Sequence, residues 1–221
     1  MDTIKDADRK SGMGRYVIFL VCYIVLILIL PGFLHLPNYQ AAMYIVLGIA
    51  GLIISRDELK ESGASWKAHP IRNILLLVGC FILMQIIDNI AILPYALIYP
   101  DQGGTMNENN IQTALGAVNP LVFILGIGVL GPITEETVFR NILTTKLGRF
   151  VPAAVAVIVS SLLFGFIHMH ALTIPELLSV LPHIFTGILW SVLLIKTKNI
   201  SLVYALHILN NLPTVILIFL K

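Results

Sequence analysis

Long apolar runs recur almost from end to end of this chain, and they constrain it more than any other feature. Seven stretches each come near the ~20 residues that an α-helix needs to cross the hydrocarbon core of a bilayer. They run approximately from Tyr16 to Leu36, Tyr39 to Ser55, Ile71 to Leu97, Pro120 to Thr145, Val151 to Met169, Pro175 to Ile195 and Ile200 to Leu220. The expected fold is all-α: a polytopic transmembrane helical bundle of about seven spans. Composition agrees, because hydrophobic residues make up 57% of the 221 and charged residues only 12%, about half the ~25% usual in soluble domains. A soluble domain of this size has too little interior to hide that much apolar surface. A soluble enzyme, a disordered tail and a nucleic-acid-binding module are excluded.

Charge placement orients the bundle. Lys5, Arg9, Lys10 and Arg15 precede the first span, and Arg56, Lys60, Lys67 and Arg72 lie between the second and third. Arg140, Lys146 and Arg149 mark the end of the fourth, and Lys196 and Lys198 follow the sixth, so all of the 14 Lys and Arg except Lys221 fall on one side. By the positive-inside rule that side, with the N-terminus, is cytoplasmic. The net charge of +2 therefore reflects loop asymmetry rather than a basic binding face. The charged start resembles a signal peptide, but Pro31-Gly32-Phe33-Leu34-His35 follows where a small-residue cleavage site would stand, which indicates an uncleaved first span. Cys22 and Cys80 lie inside apolar runs and read as small buried hydrophobes. The stretch from Arg56 to Arg72, with Trp66, reads either as a short interfacial helix or as a solvated loop.

Ionisable groups at membrane depth are functional candidates because leaving them unpaired in lipid is unfavourable by several kcal/mol. In Gly131-Pro132-Ile133-Thr134-Glu135-Glu136-Thr137-Val138-Phe139-Arg140, Glu136 and Arg140 are spaced to pair along one helix face. Glu135 points about 100° away and stays free to act as a general base. The alternative is a helix end emerging at the cytoplasmic face with all three groups solvated. Phe164 and His168 share a helical face, as do His207 and Asn211 on the last span. A capping or interfacial His and an interhelical clasp are the corresponding structural readings. Gln85, Asp88 and Asn89 on the third span, and His183, Thr186 and Gly187 on the sixth, form a looser group with packing or proton-handling roles. An HExxH helix, a G-x-S-x-G elbow and a P-loop are all absent from the sequence.

Glu135-Glu136-x-x-x-Arg140, Phe164-x-x-x-His168 and His207-x-x-x-Asn211, in that order on successive spans, resemble the CPBP intramembrane protease family, which includes CAAX prenyl endopeptidases and the bacterial bacteriocin-processing or self-immunity (Abi) proteins. The resemblance covers roughly Pro120 to Pro213, with His183 to Gly187 fitting a weaker intermediate motif. It divides the chain into an N-terminal transmembrane region, 1–119, and a catalytic core, 120–221. It implies that Glu135 activates a water, that His168 orients it or shares the proton, and that His207 and Asn211 hydrogen-bond the oxyanion. Glu136 and Arg140 would hold the architecture of the site. Glu135, His168 and His207 could also hold zinc with a position open for water, and the residues alone do not choose between zinc and metal-free chemistry.

For the three motifs to meet, their depths must match. Counted at ~1.5 Å per residue, His168 lies some 27 Å from Phe150, Glu135 about 16 Å from Lys146 and His207 roughly 10 Å from Ile200. The expectation is that the segment after Arg140 leaves the fourth span and lies along the interface. The resemblance thus implies a multi-pass enzyme of the bacterial cytoplasmic membrane that hydrolyses a small peptide precursor or a membrane-associated protein, in peptide pheromone or bacteriocin maturation or in self-immunity. Its partners are a peptide or protein substrate and membrane lipid, with no nucleic acid. A non-catalytic scaffold or immunity protein is the alternative. A proton-coupled transporter using Glu135 and Asp88 is a third reading, weakened because no inverted repeat is evident.

Overall fold

Each of the seven apolar runs is helical, and no strand occurs among the described residues. The computed structural model describes residues 2–34, 36–102, 104–107, 109 and 118–220. The side chains of Lys5, Arg9 and Lys10, and the whole of His35, Gly103 and Lys221, lie outside that description. Helix α1 (Asp2–Tyr23) continues into π turns over Ile24–Ile29. It is followed by α2 (Tyr39–Ile54), α3 (Arg56–Ala68), α4 (Pro70–Ala91) and the short α5 (Leu93–Ile98). The long α6 spans Pro120–Phe150. After it come α7 (Ala153–Phe166), α8 (Ile174–Ser179), α9 (Leu181–Thr197) and α10 (Ile200–Phe219).

Five segments are long and apolar enough to cross a bilayer: Met13–Gly32, Pro70–Ile98, α6, Ile174–Thr197 and α10. The pair α2 and α3, bent by 69°, makes a sixth if taken as one broken span. Helix α7 has 14 residues, ~21 Å of helix, short of the ~30 Å core. Length therefore supports five or six crossings rather than seven. Large apolar side chains turn outward all round, including Ile18, Ile71, Leu75 and Leu97, as expected of a protein whose solvent is lipid. The chain is a multi-pass membrane protein.

Helix α6 is the axis of the bundle: 61% of its most apolar window is buried, against 11% for the α4–α5 span. Its α turns at Pro120–Phe123 and Gly131–Glu136 alternate with π turns at Ile124–Leu130 and Thr137–Leu147. Pro132 has no N–H to give, and the wider turn before it accommodates the interruption without breaking the helix. Carbonyls are re-satisfied by side chains: Thr144 Oγ1 and Ser160 Oγ both donate to the Phe139 carbonyl, at 2.8 and 2.6 Å. Helices α2 and α6 touch backbone to backbone, since a Cβ placed on Gly126 would stand 2.4 Å from the Ala41 carbonyl oxygen.

Helix α6 runs unbroken to Phe150, so the expected departure after Arg140 does not occur. The depths match for a simpler reason. Glu135 is 15 residues before Phe150 (150 − 135), and His168 is 15 residues after Ala153 (168 − 153), where α7 begins. The mismatch came from placing the helix ends at Lys146 and Phe150. For His207 the explanation lies in α3, which lies over the start of α10. Trp66 Nε1 donates to Ser201 Oγ at 2.9 Å, Ser62 Oγ accepts from the Ser201 N–H at 3.4 Å, and Asn199 and Ile200 are buried. Helix α10 thus starts below the surface. Of the two readings of the Arg56–Arg72 stretch, the structure has the helix.

The basic loops meet at one end, where Lys146, Arg149 and Lys198 share a cavity of about 470 Å³ with Glu58 and Glu61. Lys146 pairs with Glu58 there.

The α2–α6 contact yields a direct test. Gly126→Ala drives a methyl group into the backbone at Ala41, and overpacking of this kind is unfavourable by ~1–3 kcal/mol. The melting temperature in detergent should fall by roughly 2–10 °C. Gly79→Ala, where nothing lies within 4 Å, should leave it almost unchanged.

Candidate active site

Glu136 and Arg140, one turn apart on α6, pair with Nε to Oε2 at 3.0 Å, and both side chains are completely buried. The remaining guanidinium nitrogens, Nη1 and Nη2, have no hydrogen-bond partner among the described residues. Aromatic faces take their place. The Arg140 Cζ lies 4.1 Å from the ring centroid of Phe164, 5.2 Å from that of Trp190 and 6.0 Å from that of Phe139. A desolvated cation over such faces gains ~2 kcal/mol, and the adjacent carboxylate neutralises it. Gly187 leaves the space: a Cβ there would meet Arg140 Nη2 at 3.2 Å and Ser161 Cβ at 3.1 Å.

Glu136 also anchors the last helix. Its Oε1 accepts from His207 Nδ1 at 2.9 Å, which fixes the ring and turns Nε2 towards Glu135, whose Oε2 is 3.8 Å away. Glu135 is held independently, by a hydrogen bond from the Tyr44 hydroxyl to Oε1 at 2.7 Å. The two adjacent carboxylates thus point to different surroundings, as the 100° between them on the helix requires, and share only His207, one at each ring nitrogen. One is consumed by Arg140 and His207. The other has a free oxygen facing an imidazole nitrogen.

Phe164 brings the remaining motif to this point. Its ring packs on Phe139, His168 and His207, with centroids at 5.3, 5.1 and 5.8 Å. His168, in the turn after α7, donates from Nδ1 to the Phe164 carbonyl at 2.8 Å, which leaves its Nε2 uncommitted. One face of α9 completes the arrangement. His183 stacks on His168 with ring centroids 3.9 Å apart, Thr186 Oγ1 donates to Asp88 Oδ1 at 2.6 Å, and Trp190 lies 4.7 Å from His207.

His168, His183, His207 and Asn211 line one cavity of about 400 Å³, together with Asp88 and Asn210. Glu135 is not on its wall and borders it through His207. The predicted residues Glu135, Glu136, Arg140, His168 and His207 are therefore brought together, and Asn211 lies one turn beyond His207 on the same cavity. Glu135, His168 and His207 do not converge on a point that could hold zinc, and no group of three His, Cys, Asp or Glu does so among the described residues. Sequence reasoning missed Tyr44, whose only signal was a hydroxyl between apolar neighbours in the second span. It also missed Trp190, spaced seven residues after His183 on one helical stripe.

The chain resembles known proteins in this same region. Residues 117–213 match a family model described as Rce1-like, type II CAAX prenyl endopeptidase Rce1-like. A curated protein of Staphylococcus aureus (strain USA300), named membrane-embedded CAAX protease MroQ, is 27% identical over 137 residues, 59% of this chain and 52% of that protein. The chain thus spans about half the length of the curated relative it matches. No solved structure matches it. All three motifs, from Glu135 to Asn211, fall inside the matched region and meet around one buried ion pair. Residues 117–213 are thus similar to the type II CAAX prenyl endopeptidases, in agreement with the resemblance that the three motifs carry.

Proposed function

We propose that this protein is an intramembrane endopeptidase in which Glu135 activates the attacking water. The observation that carries the reading is the 3.8 Å between Glu135 Oε2 and His207 Nε2, a separation that one water molecule can bridge. Both ends are fixed from behind, Glu135 by Tyr44 and His207 by Glu136. A carboxylate and an imidazole held in this way give a general base and a positioned nucleophile without reorganisation at the moment of reaction.

In this mechanism Glu135 takes a proton from water as its oxygen adds to the scissile carbonyl carbon. The tetrahedral intermediate then collapses as the same proton passes to the leaving nitrogen. Asn211 Nδ2 donates to the oxyanion directly. His207 donates from Nε2 only as the imidazolium, because its Nδ1–H stays on Glu136. His168, with Nδ1 bound to its own helix end, orients the water or relays its proton through Nε2. Glu136 and Arg140 position the others. A small peptide precursor or the terminal part of a membrane-associated protein is the substrate class that suits a 400 Å³ cavity within the bundle.

Glu135→Gln keeps the shape and the Tyr44 hydrogen bond, so stability should stay within about 1 kcal/mol of wild type while hydrolysis falls at least 10²-fold. The comparison to make is of peptides and protein termini in cells expressing the two forms at matched levels. A precursor that accumulates only with Glu135→Gln supports the enzyme. Identical profiles, with a phenotype that the variant retains, favour a non-catalytic scaffold.

Glu136→Gln should behave differently, because it strands the buried Arg140 charge, a loss of ~3–5 kcal/mol visible in thermal unfolding as well as in activity. Dialysis against a chelator should leave hydrolysis intact. Its loss on chelation, restored by zinc, would replace the glutamate mechanism with a metal-assisted one.

A further inference from the structure

The cavity that holds the three histidines carries one fixed charge. Among its described lining residues Asp88 is the only carboxylate, and there is no Lys or Arg. Asp88 receives one hydrogen bond, from Thr186 Oγ1 to Oδ1, and no ion pair reaches it among the described residues. Beside it Asn89 donates its Nδ2 to the Gln85 carbonyl one turn back, so the amide oxygen of Asn89 remains an acceptor on the same wall. Asn210 also lines the cavity, with its Oδ1 accepting from Gln85 Nε2 at 3.3 Å and its Nδ2 donating to Asn211 Oδ1 at 3.4 Å, so the acceptors left open on the wall are those of Asp88 and Asn89. A carboxylate at membrane depth is unfavourable unless it is matched, and this wall of acceptors suits an ammonium or guanidinium group. It disfavours an anionic side chain beside Asp88, for which no lining cation is present among the described residues.

Position links this wall to the chemistry. Thr186 and His183 are three residues apart on α9, and His183 stacks on His168. A side chain that reaches Asp88 therefore lies along the cavity from the imidazoles.

We propose that Asp88 is a specificity residue that selects substrates with a Lys or Arg side chain close to the scissile bond. This rests on reading the cavity as the substrate site. The rival role is purely structural, with Asp88 tying α4 to α9 through Thr186.

The test uses the full chain in phosphatidylcholine vesicles and twelve-residue apolar peptides that carry a benzophenone and one variable residue: Lys, Gln or Glu. In the Glu135→Gln background, photo-crosslinking should favour the Lys peptide over the Glu peptide about tenfold. Asp88→Asn should bring the ratio near one, and Asp88→Lys should reverse it, which a structural tie would not do. Equal labelling of the peptides, or a Lys preference that survives Asp88→Asn, overturns the proposal. The same peptides are then offered to the wild-type protein. Selective labelling with no cleavage would keep the assignment of Asp88 and remove the protease reading, so the two can fail separately.

Discussion

An arginine with no exposure to solvent or lipid, in a protein whose surroundings are hydrocarbon, is the condition on which the rest of this structure depends. Arg140 is tolerable only because Glu136 neutralises it and three aromatic rings replace the water it has lost. Those rings come from α6, α7 and α9, and Glu136 additionally binds His207 of α10. Satisfying one cation therefore fixes four helices relative to one another. A buried ion pair is weak evidence for stability in itself. Here its role is better described as specifying an arrangement: the pair forms within α6, and only this packing supplies it with the rings of Phe164 and Trp190 and with His207.

Because Glu136 is occupied in this way, Glu135 is not. The two carboxylates are chemically identical and adjacent in sequence, and the helix gives them different surroundings: an arginine and an imidazole for one, a tyrosine hydroxyl and an open imidazole nitrogen for the other. The π turns on either side of Gly131–Glu136 matter for the same reason. They let a helix containing Pro132 pass through the middle of the bundle with its polar residues directed inward, and neighbouring hydroxyls take up the carbonyls that the wider turns leave free.

Much of the site was legible in the sequence because its contacts are local. The Glu136–Arg140 pairing, the divergence of Glu135 and the shared faces of Phe164 with His168 and of His207 with Asn211 all follow from helical spacing. What failed were statements that depend on where helices end. Fifteen residues separate Glu135 from the end of α6 and His168 from the start of α7, and misplacing those ends by three or four residues created an apparent mismatch in depth. The helical bundle was legible in the apolar runs, and its span count was less so, because apolar composition does not distinguish the 14-residue α7 from a full crossing. The burial of the α10 start was out of reach, since it depends on Trp66 and Ser62 of α3 meeting Ser201 from far away in the chain.

Tyr44 has a consequence of a different kind. It belongs to α2, 91 positions before Glu135 and outside the segment 117–213 that matches the family model. The motif-bearing segment is therefore not a portable cassette. Detached from its own N-terminal helices, or joined to those of another protein, it would carry every signature residue and still leave one oxygen of Glu135 without its donor. Relatives that share the motifs and differ upstream must answer that need with a hydroxyl of their own or hold the carboxylate by other means. Similarity confined to 117–213 can thus accompany real differences in how the same glutamate is held.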